Sequence, residues 1–245
     1  MLADRAGLLE VQDLSKAFGG LRAVDGLSFA VREGEILGLI GPNGSGKTTV
    51  FNLIAGAFPC DGGRIYFAGR QITRASPSSR AALGIARTFQ LVRTLPNLTV
   101  LENVTTARLY GREPAPSLHA AREQARELLG LVGLGERAAS PARMLTLAGR
   151  KTLEIARALA TRPRLLLLDE PAAGLNPVEV DAVLGLFGRI RAGGLTLVIV
   201  EHNVRAVRRL CDRILVLGAG RKIVEGTPEE ALEHAEVIQV YLGSA

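Results

Sequence analysis

Glycines, one lysine and two threonines are gathered in a short segment early in the chain. Residues 41–49 read Gly-Pro-Asn-Gly-Ser-Gly-Lys-Thr-Thr and fit the pattern G-x-x-x-x-G-K-[ST]. In such a loop the glycines let successive backbone N–H groups converge on phosphate oxygens, and the following helix adds positive potential. We expect Lys47 to reach the β- and γ-phosphates of a nucleoside triphosphate, and the Thr48 hydroxyl to bind Mg²⁺.

Two carboxylates follow a short apolar run later in the chain. Leu165–Leu168 is followed directly by Asp169 and Glu170. A buried strand that ends in two acids is a candidate site for a metal ion and a general base. We expect Asp169 to orient Mg²⁺ and Glu170 to polarise the attacking water when a triphosphate is hydrolysed. The alternative is that the pair only caps the strand, with Pro171 ending the sheet.

Local sequence patterns predict the elements that position these residues. Residues 8–14 and 27–31 alternate apolar and polar positions, which is typical of half-buried antiparallel strands. Ile36–Ile40 is apolar throughout, as in a strand buried on both faces, and helical spacing follows from Thr48 to Ala55. Further strands are predicted at Arg64–Phe67, Leu165–Asp169, Thr196–Val200 and Ile214–Leu217.

The stretch between these strands predicts helices. Ala, Leu, Glu and Arg dominate from about Leu91 to Ala160, interrupted by a proline-containing loop at Gly111–Ser117. Two later helices are predicted at Val178–Ile190 and Asn203–Leu210. Alternation of strands and helices indicates a parallel α/β sheet. We find no repeat and no linker, so residues 1–245 are expected to form a single domain.

The composition limits the classes of protein to which the chain can belong. Of its 245 residues, 47% are hydrophobic and 4% aromatic, as in a globular α/β protein. Cys60 and Cys211 are widely separated and lack a zinc-binding pattern, which favours a reducing compartment. The longest apolar runs are far shorter than the ~20 residues of a membrane span. The net charge of +6 comes from scattered arginines and does not by itself indicate nucleic acid.

Taken in order, the motifs resemble the ATP-binding subunit of ATP-binding cassette (ABC) transporters, from Leu8 to about Leu242. The resemblance implies an α/β fold with a P-loop ATPase core, a parallel sheet and an N-terminal antiparallel β subdomain. It places this core at about 1–90 and 161–245, and an inserted α-helical subdomain at about 91–160. It also implies that the chain hydrolyses ATP, with Mg²⁺ as cofactor.

The resemblance assigns further residues to the ATP site. Phe18 matches the aromatic residue that stacks on adenine, and Gln90 matches the glutamine that senses Mg²⁺ and water beside the membrane subunit. His202 matches the histidine that contacts the γ-phosphate, and residues 172–176 occupy the D-loop position. The catalytic residues are then Glu170, His202 and Gln90, and the metal residues are Thr48, Gln90 and Asp169. The expected nucleotide contacts are Phe18, Gly41, Asn43, Gly44, Ser45, Gly46, Lys47, Thr48, Thr49, Thr146 and Ala148.

One segment departs from the family pattern. The family's signature, Leu-Ser-Gly-Gly-Gln, corresponds to Leu-Thr-Leu-Ala-Gly at residues 145–149. In the family this segment opens a helix and faces the γ-phosphate of ATP that is held by the opposite subunit. Thr146 can still cap the helix and offer a hydroxyl. If Ala148 takes a helical conformation, its N–H still points outward and the site is retained.

The finer resemblance is to the first of the two ATPases in bacterial branched-chain amino-acid importers, and it implies that ATP hydrolysis drives the uptake of branched-chain or other hydrophobic amino acids. It rests on residues 84–90, 98–103 and 240–243. It implies permease subunits, a second ATP-binding subunit that is a copy or a paralogue, and indirectly a periplasmic binding protein. The expected location is the cytoplasmic face of the inner membrane, with no nucleic acid bound. The segment Leu91–Pro96, after Gln90, is the candidate contact with the membrane subunit.

Two alternatives stay open at this point. The first is an ABC protein that acts on nucleic acid or on the ribosome, which the basic charge slightly favours. A single cassette and the lack of a basic aromatic surface argue against it. The second is a weakly catalytic, nucleotide-gated assembly module, which only Ala148 and Gly149 suggest.

Overall fold

The computed structural model describes residues 7–242, and the side chains of residues 7–239. Gly243, which belongs to the finer resemblance, lies outside the described residues. The strands are β1 (Leu9–Phe18), β2 (Leu21–Val31), β3 (Ile36–Ile40), β4 (Gly62–Phe67), β5 (Arg70–Gln71), β6 (Ile85–Arg87), β7 (Leu165–Asp169), β8 (Thr196–Val200), β9 (Arg213–Gly218) and β10 (Arg221–Gly226). The helices are α1 (Lys47–Ile54), α2 (Pro77–Leu83), α3 (Val100–Arg108), α4 (Leu118–Val132), α5 (Leu147–Ala160), α6 (Pro177–Ala192), α7 (Val204–Leu210), α8 (Pro228–Leu232) and α9 (Ala235–Leu242).

The chain divides into two compact units, and the first contains residues 7–77 and 191–242. An antiparallel sheet has the strand order β2-β1-β4-β5, as the alternating pattern of β1 and β2 predicts. A second set of strands has the order β10-β9-β3-β8. Its strand β3 runs parallel to both β8 and β9 and is buried along its whole length. The prediction of a parallel sheet with a doubly buried strand at Ile36–Ile40 is therefore confirmed.

The second unit contains residues 78–190. Strands β6 and β7 pair in parallel, with Ile85 opposite Leu165, and helices α3, α4 and α5 pack on one another. The predicted helical subdomain at about 91–160 lies within this unit. Its apolar centre includes Val104, Ala125 and Leu153, which have no exposed surface.

The start of the helical stretch differs from the prediction. Helix α3 begins at Val100 and not near Leu91. Thr99 caps α3 in a capping box with Glu102, which fixes the first turn at that position. The preceding segment is held by the fully buried Asn103, whose side chain bonds the Leu95 amide at 2.8 Å and the Leu95 carbonyl at 3.0 Å. A side chain replaces helical hydrogen bonds here, which the periodicity of the sequence does not reveal.

Several short strands and helices are not indicated by the sequence patterns. Strands β5, β6 and β10 and helices α2, α8 and α9 were not predicted. Most are only a few residues long, so a hydrophobic period has little room to develop. In the part of the chain that is described, no helix combines the length and the apolar character needed to cross a membrane.

Candidate functional site

Two glycines give the loop after β3 a shape that larger residues would not allow. Gly41 has a φ of 149°, and a Cβ there would lie 2.2 Å from the Leu217 carbonyl oxygen. Gly46 has a φ of 102°, and a Cβ there would lie 2.3 Å from the Ala23 carbonyl oxygen. Both distances are too short for any side chain, so the loop can pack this closely only with glycine.

Lys47 lies inside the loop that it belongs to. Only 6% of its surface is exposed, and its ammonium donates to the carbonyls of Gly41 at 2.9 Å and Pro42 at 2.8 Å. Ser45 is also buried, and its carbonyl accepts the Gly220 amide at 3.1 Å. The positive charge is thus held at the centre of the loop by backbone oxygens, at the place where a phosphate would be neutralised.

The other predicted loop contacts face outward or open helix α1. Asn43, Gly44 and Thr48 are exposed, and Thr49 is half-buried. The first hydrogen bond of α1 runs from the Val50 amide to the Gly46 carbonyl at 2.9 Å. The amides before Val50 therefore point out of the helix N-terminus, where the helix dipole favours an anion.

His202 follows a strand that is adjacent to the one before the loop. β3 ends at Ile40 and β8 ends at Val200, and Leu39 is opposite Val200 in the parallel register. The carboxyl ends of parallel neighbours share one edge, so the loop and His202 leave the sheet at the same edge. His202 is exposed, and its backbone amide donates to the buried Glu201 carboxylate at 3.2 Å.

Phe18 is an exposed aromatic residue at the end of β1. It keeps 45% of its surface accessible and meets the Phe58 ring edge-to-face, with 5.5 Å between the ring centroids. The Lys16 ammonium lies 5.5 Å from the Phe18 centroid and is fixed by an ion pair with Asp61 at 2.7 Å. An accessible ring supported on one side by another ring can stack on a nucleobase.

In the second unit, Asp169 ends strand β7 and is almost fully buried. The Asp169 amide donates to the Thr88 hydroxyl at 3.2 Å, and the Thr88 amide donates to the Leu167 carbonyl at 2.9 Å. The guanidinium of Arg87 lies 3.6 Å from the Asp169 carboxylate. These contacts hold the end of β7 against the residues that follow β6.

Glu170 and Gln90 are brought into direct contact. The Gln90 amide nitrogen donates to the Glu170 carboxylate at 3.2 Å. Glu170 has a φ of 47°, in the left-handed region that costs a non-glycine residue about 1–3 kcal/mol. Its carbonyl accepts hydrogen bonds from the Lys151 ammonium at 2.8 Å and from the Ala173 amide at 3.2 Å. Strain of this kind is common at functional sites, where the surrounding contacts impose it.

Two charged residues of α5 were missed by the sequence analysis. Lys151 and Glu154 are buried, and Glu154 accepts the Arg93 amide at 3.0 Å. Burial raises the pKa of Glu154, while the amides of Arg93 and Phe89 and nearby positive charges act in the opposite direction. The sequence does contain an indication that Glu154 is buried, because it stands directly between the apolar residues Leu153 and Ile155.

The segment that departs from the family signature forms a regular helix start. Thr146 caps α5, and its hydroxyl accepts the Gly149 amide at 3.2 Å. Ala148 lies in the first turn, ahead of the hydrogen bond from the Arg150 amide to the Thr146 carbonyl at 2.9 Å. Ala148 is thus helical, the condition under which its N–H stays available at the helix N-terminus.

The D-loop position joins the residues after β7 to helix α6. Asn176 and Glu179 exchange backbone-to-side-chain hydrogen bonds at 3.0 Å, which fixes the start of α6. A Cβ at Gly174 would lie 3.2 Å from a methyl group of Leu147 in α5. The D-loop and the signature segment therefore pack on each other within the second unit.

The donor set fits a triphosphate and a magnesium ion. The loop offers backbone amides, an ammonium and a steric gap at its glycines, which suits phosphate oxygens. In the first unit Thr48 offers a hydroxyl oxygen, and in the second unit Asp169 and Gln90 offer carboxylate and amide oxygens, the type of ligand that Mg²⁺ prefers. Among the described residues, no group of three or more His, Cys, Asp or Glu side chains is arranged for a metal.

Comparison with known proteins identifies the family. The model of the ABC transporter family matches residues 24–173, and the model described as branched-chain amino acid ATP-binding cassette transporter matches residues 221–245. The chain belongs to the ABC transporter family. The cassette is 39% identical to the high-affinity branched-chain amino acid transport ATP-binding protein BraF of Pseudomonas aeruginosa, over 97% of this chain and 98% of that protein. It is 38% identical to LivG of Escherichia coli, with the same coverage.

Solved structures support the same family. The nucleotide-free ATP-binding cassette of an ABC transporter is 32% identical, with a TM-score of 0.87, and covers 96% of this chain and 98% of its own. A bacterial ABC transporter cassette solved as a dimer is 26% identical, with a TM-score of 0.81, and covers 90% and 98%. The cassette has the fold of an ABC ATPase, as the resemblance implied, and it is an ATPase of the transporter type.

Proposed function

We propose that the cassette is the ATP-binding subunit of a branched-chain amino-acid importer, and that it hydrolyses ATP at an interface between two such subunits. The observation that carries the proposal is the phosphate loop around Lys47, inside the part of the chain that the ABC transporter model matches. The match at residues 221–245 supports the class of cargo. In such an importer the ATPase does not bind the transported amino acid. The cassette would couple ATP hydrolysis to a conformational change, and the membrane subunits would form the translocation pathway.

In the proposed mechanism some residues bind the nucleotide, and others activate the water that attacks the γ-phosphate. Lys47 and the amides at the start of α1 would hold the β- and γ-phosphates, and Phe18 would stack on adenine. Glu170 would accept a hydrogen bond from the attacking water, with Gln90 holding its carboxylate. His202 would contact the γ-phosphate from the adjacent strand end. Thr146 and Ala148 would present the first turn of α5 to the nucleotide of the opposite subunit.

The residues that we propose for Mg²⁺, on the resemblance to the family, are Thr48 in the first unit and Asp169 and Gln90 in the second. When bound, such an ion neutralises charge on the β- and γ-phosphates. Two contacts support this role for Asp169: its backbone amide donates a hydrogen bond to the Thr88 hydroxyl at 3.2 Å, and the Arg87 guanidinium lies 3.6 Å from its carboxylate. Asn43, Gly44, Ser45 and Thr49 complete the proposed nucleotide contacts.

The proposed partners follow from the type of importer. They are two permease subunits, a second ATP-binding subunit, and a periplasmic substrate-binding protein that reaches the cassette only through the permeases. The cassette would lie on the cytoplasmic face of the inner membrane. Leu91, of which 82% is exposed, begins the segment after Gln90 that we propose as the permease contact.

The test uses the cassette purified from detergent-solubilised membranes with the proteins that accompany it. Co-purification of permeases, and an ATPase rate that rises when a binding protein loaded with leucine is added, are the expected results. Replacement of Lys47 by Ala should abolish nucleotide binding. Salt-sensitive binding to RNA with no permease present would favour the nucleic-acid alternative. Nucleotide binding without turnover in the complete complex would favour the assembly module.

A further inference from the structure

Lys151 is a buried lysine that the proposed roles leave unexplained. It lies in the second turn of α5, and only 7% of its surface is exposed. An ammonium group removed from water is costly unless hydrogen bonds and an opposite charge compensate for the loss of hydration. One such bond is its contact of 2.8 Å with the Glu170 carbonyl.

The opposite charge comes from the same helix. Glu154 lies three positions after Lys151, on the same side of α5, and the charge of Lys151 acts on its carboxylate. Glu154 in turn accepts the Arg93 amide at 3.0 Å, and the Arg157 guanidinium donates to the Arg93 carbonyl. One face of α5 therefore holds both the residue after β7 and the segment that follows Gln90.

The carbonyl held by Lys151 belongs to a residue in an unfavourable conformation. Glu170 is left-handed, with a φ of 47°, and such a backbone persists only where its surroundings impose it. Lys151 acts on the Glu170 backbone, and Gln90 acts on its carboxylate at 3.2 Å. The two contacts fix the residue at both ends.

We propose that Lys151 is a positioning residue for ATP hydrolysis, which sets the direction of the Glu170 carboxylate by holding the Glu170 carbonyl from helix α5. The inference rests on the proposed function, in which Glu170 polarises the attacking water. Lys151 touches no reacting atom. Thr146 caps α5, which begins at Leu147, so a displacement of this helix on contact with the opposite nucleotide would reach the Glu170 backbone through Lys151.

The test compares Lys151→Met and Lys151→Arg with the unmodified cassette, each purified with its membrane subunits. Methionine keeps the volume of the stem and removes the charge, so the variant is expected to fold. A misplacement of about 1 Å can cost about 100-fold in rate, so Lys151→Met should lower kcat by about 10- to 100-fold. The KM for ATP should stay within about 2-fold, because the phosphate loop is unchanged. Lys151→Arg keeps a buried donor and should recover most of kcat.

The ATPase rate is divided by the number of nucleotide-binding sites, which is measured by the binding of trinitrophenyl-ATP. A smaller amount of folded protein therefore does not lower the turnover per site. Arg126→Gln, which removes an exposed cation of α4 that pairs with Glu123, is the matched control and should leave kcat unchanged. If Lys151→Met does not fold, Lys151→Gln takes its place. The inference is overturned by unchanged turnover per site, by a higher KM at constant kcat, or by Lys151→Arg being no better than Lys151→Met. An inactive unmodified complex would instead contradict the proposed function.

Discussion

The Gln90 side chain donates a hydrogen bond to the Glu170 carboxylate at 3.2 Å, although 80 positions separate the two residues. The parallel pairing of β6 and β7 makes this possible, because it places the residues after both strands at one edge. Gln90 is followed by the exposed Leu91, where we propose the permease contact. A shift of that segment would therefore change the surroundings of the Glu170 carboxylate directly, which gives the membrane subunit a short route to the hydrolysis step.

Replacement of Glu170 by Gln should separate nucleotide binding from turnover. Glutamine can still accept a hydrogen bond from Gln90 but cannot accept a proton from water. We expect ATP turnover to fall by at least about 100-fold, the usual contribution of a general base. ATP affinity should stay within about 2-fold, as measured by equilibrium binding. Turnover that persists in Glu170→Gln would mean that another group polarises the water.

Replacement of Phe18 by Ala should weaken the binding of ATP but not of its phosphate part. Loss of one stacked base costs about 1–3 kcal/mol, which corresponds to roughly 5- to 150-fold in affinity. Tripolyphosphate, which has no base, should bind both forms equally. The exposed Tyr110, in the second unit, provides the control Tyr110→Ala, which should change neither affinity. Equal losses for ATP and tripolyphosphate would show that Phe18 supports the loop and does not stack.

Local sequence patterns were sufficient for the phosphate loop and its strands. The run Ile36–Ile40 is buried at every position, and α1 begins at Lys47, one residue before the predicted start. The reason is that strand, turn and helix are consecutive there, so neighbouring residues determine each of them. The strand ending at Asp169 was found in the same way.

Contacts that depend on tertiary structure could not be predicted in this way. The Asn103 side chain that delays α3, and the bond of 2.8 Å between Lys151 and Glu170, join segments by side chains whose direction is set only after packing. The left-handed backbone of Glu170 could not be predicted from the sequence, because glycine is the usual sequence indication of that conformation and a glutamate occupies this position. The sequence therefore identified Glu170 as a candidate without the contacts that hold it.

Replacement of Thr146 by Ala should test whether the cap of α5 is needed. The Thr146 hydroxyl accepts the Gly149 amide at 3.2 Å, and loss of such a cap costs about 1 kcal/mol of unfolding free energy. Thr146→Ser keeps the acceptor and should retain stability and turnover. Urea unfolding and ATPase rates of both variants provide the measurement. A Thr146→Ala protein with unchanged stability would show that the helix start is fixed by other contacts.

The stability of the cassette should depend on pH through Glu154. Burial raises the pKa of Glu154 above its ordinary value of 4.5, so the folded state binds this proton more tightly than the unfolded state. Its contribution to stability is therefore fully present below pH 4.5 and is lost as the pH rises through the raised value. At a pH above the raised pKa the Glu154 carboxylate is ionised while still buried, and its contribution to the free energy of unfolding has been lost completely.

Glu154→Gln removes this titration and keeps an acceptor for the Arg93 amide. The free energy of unfolding of the unmodified cassette, minus that of Glu154→Gln, should fall as the pH rises above 4.5 and then level off. The slope cannot exceed about 1.4 kcal/mol per pH unit, because one proton is involved. Urea unfolding of both proteins at a series of pH values from 4.5 upward measures this difference in the free energy of unfolding. Glu123→Gln, which changes an exposed carboxylate of α4, is the control substitution. A difference that rises with pH would mean that Lys151 and Arg157 outweigh the burial of Glu154.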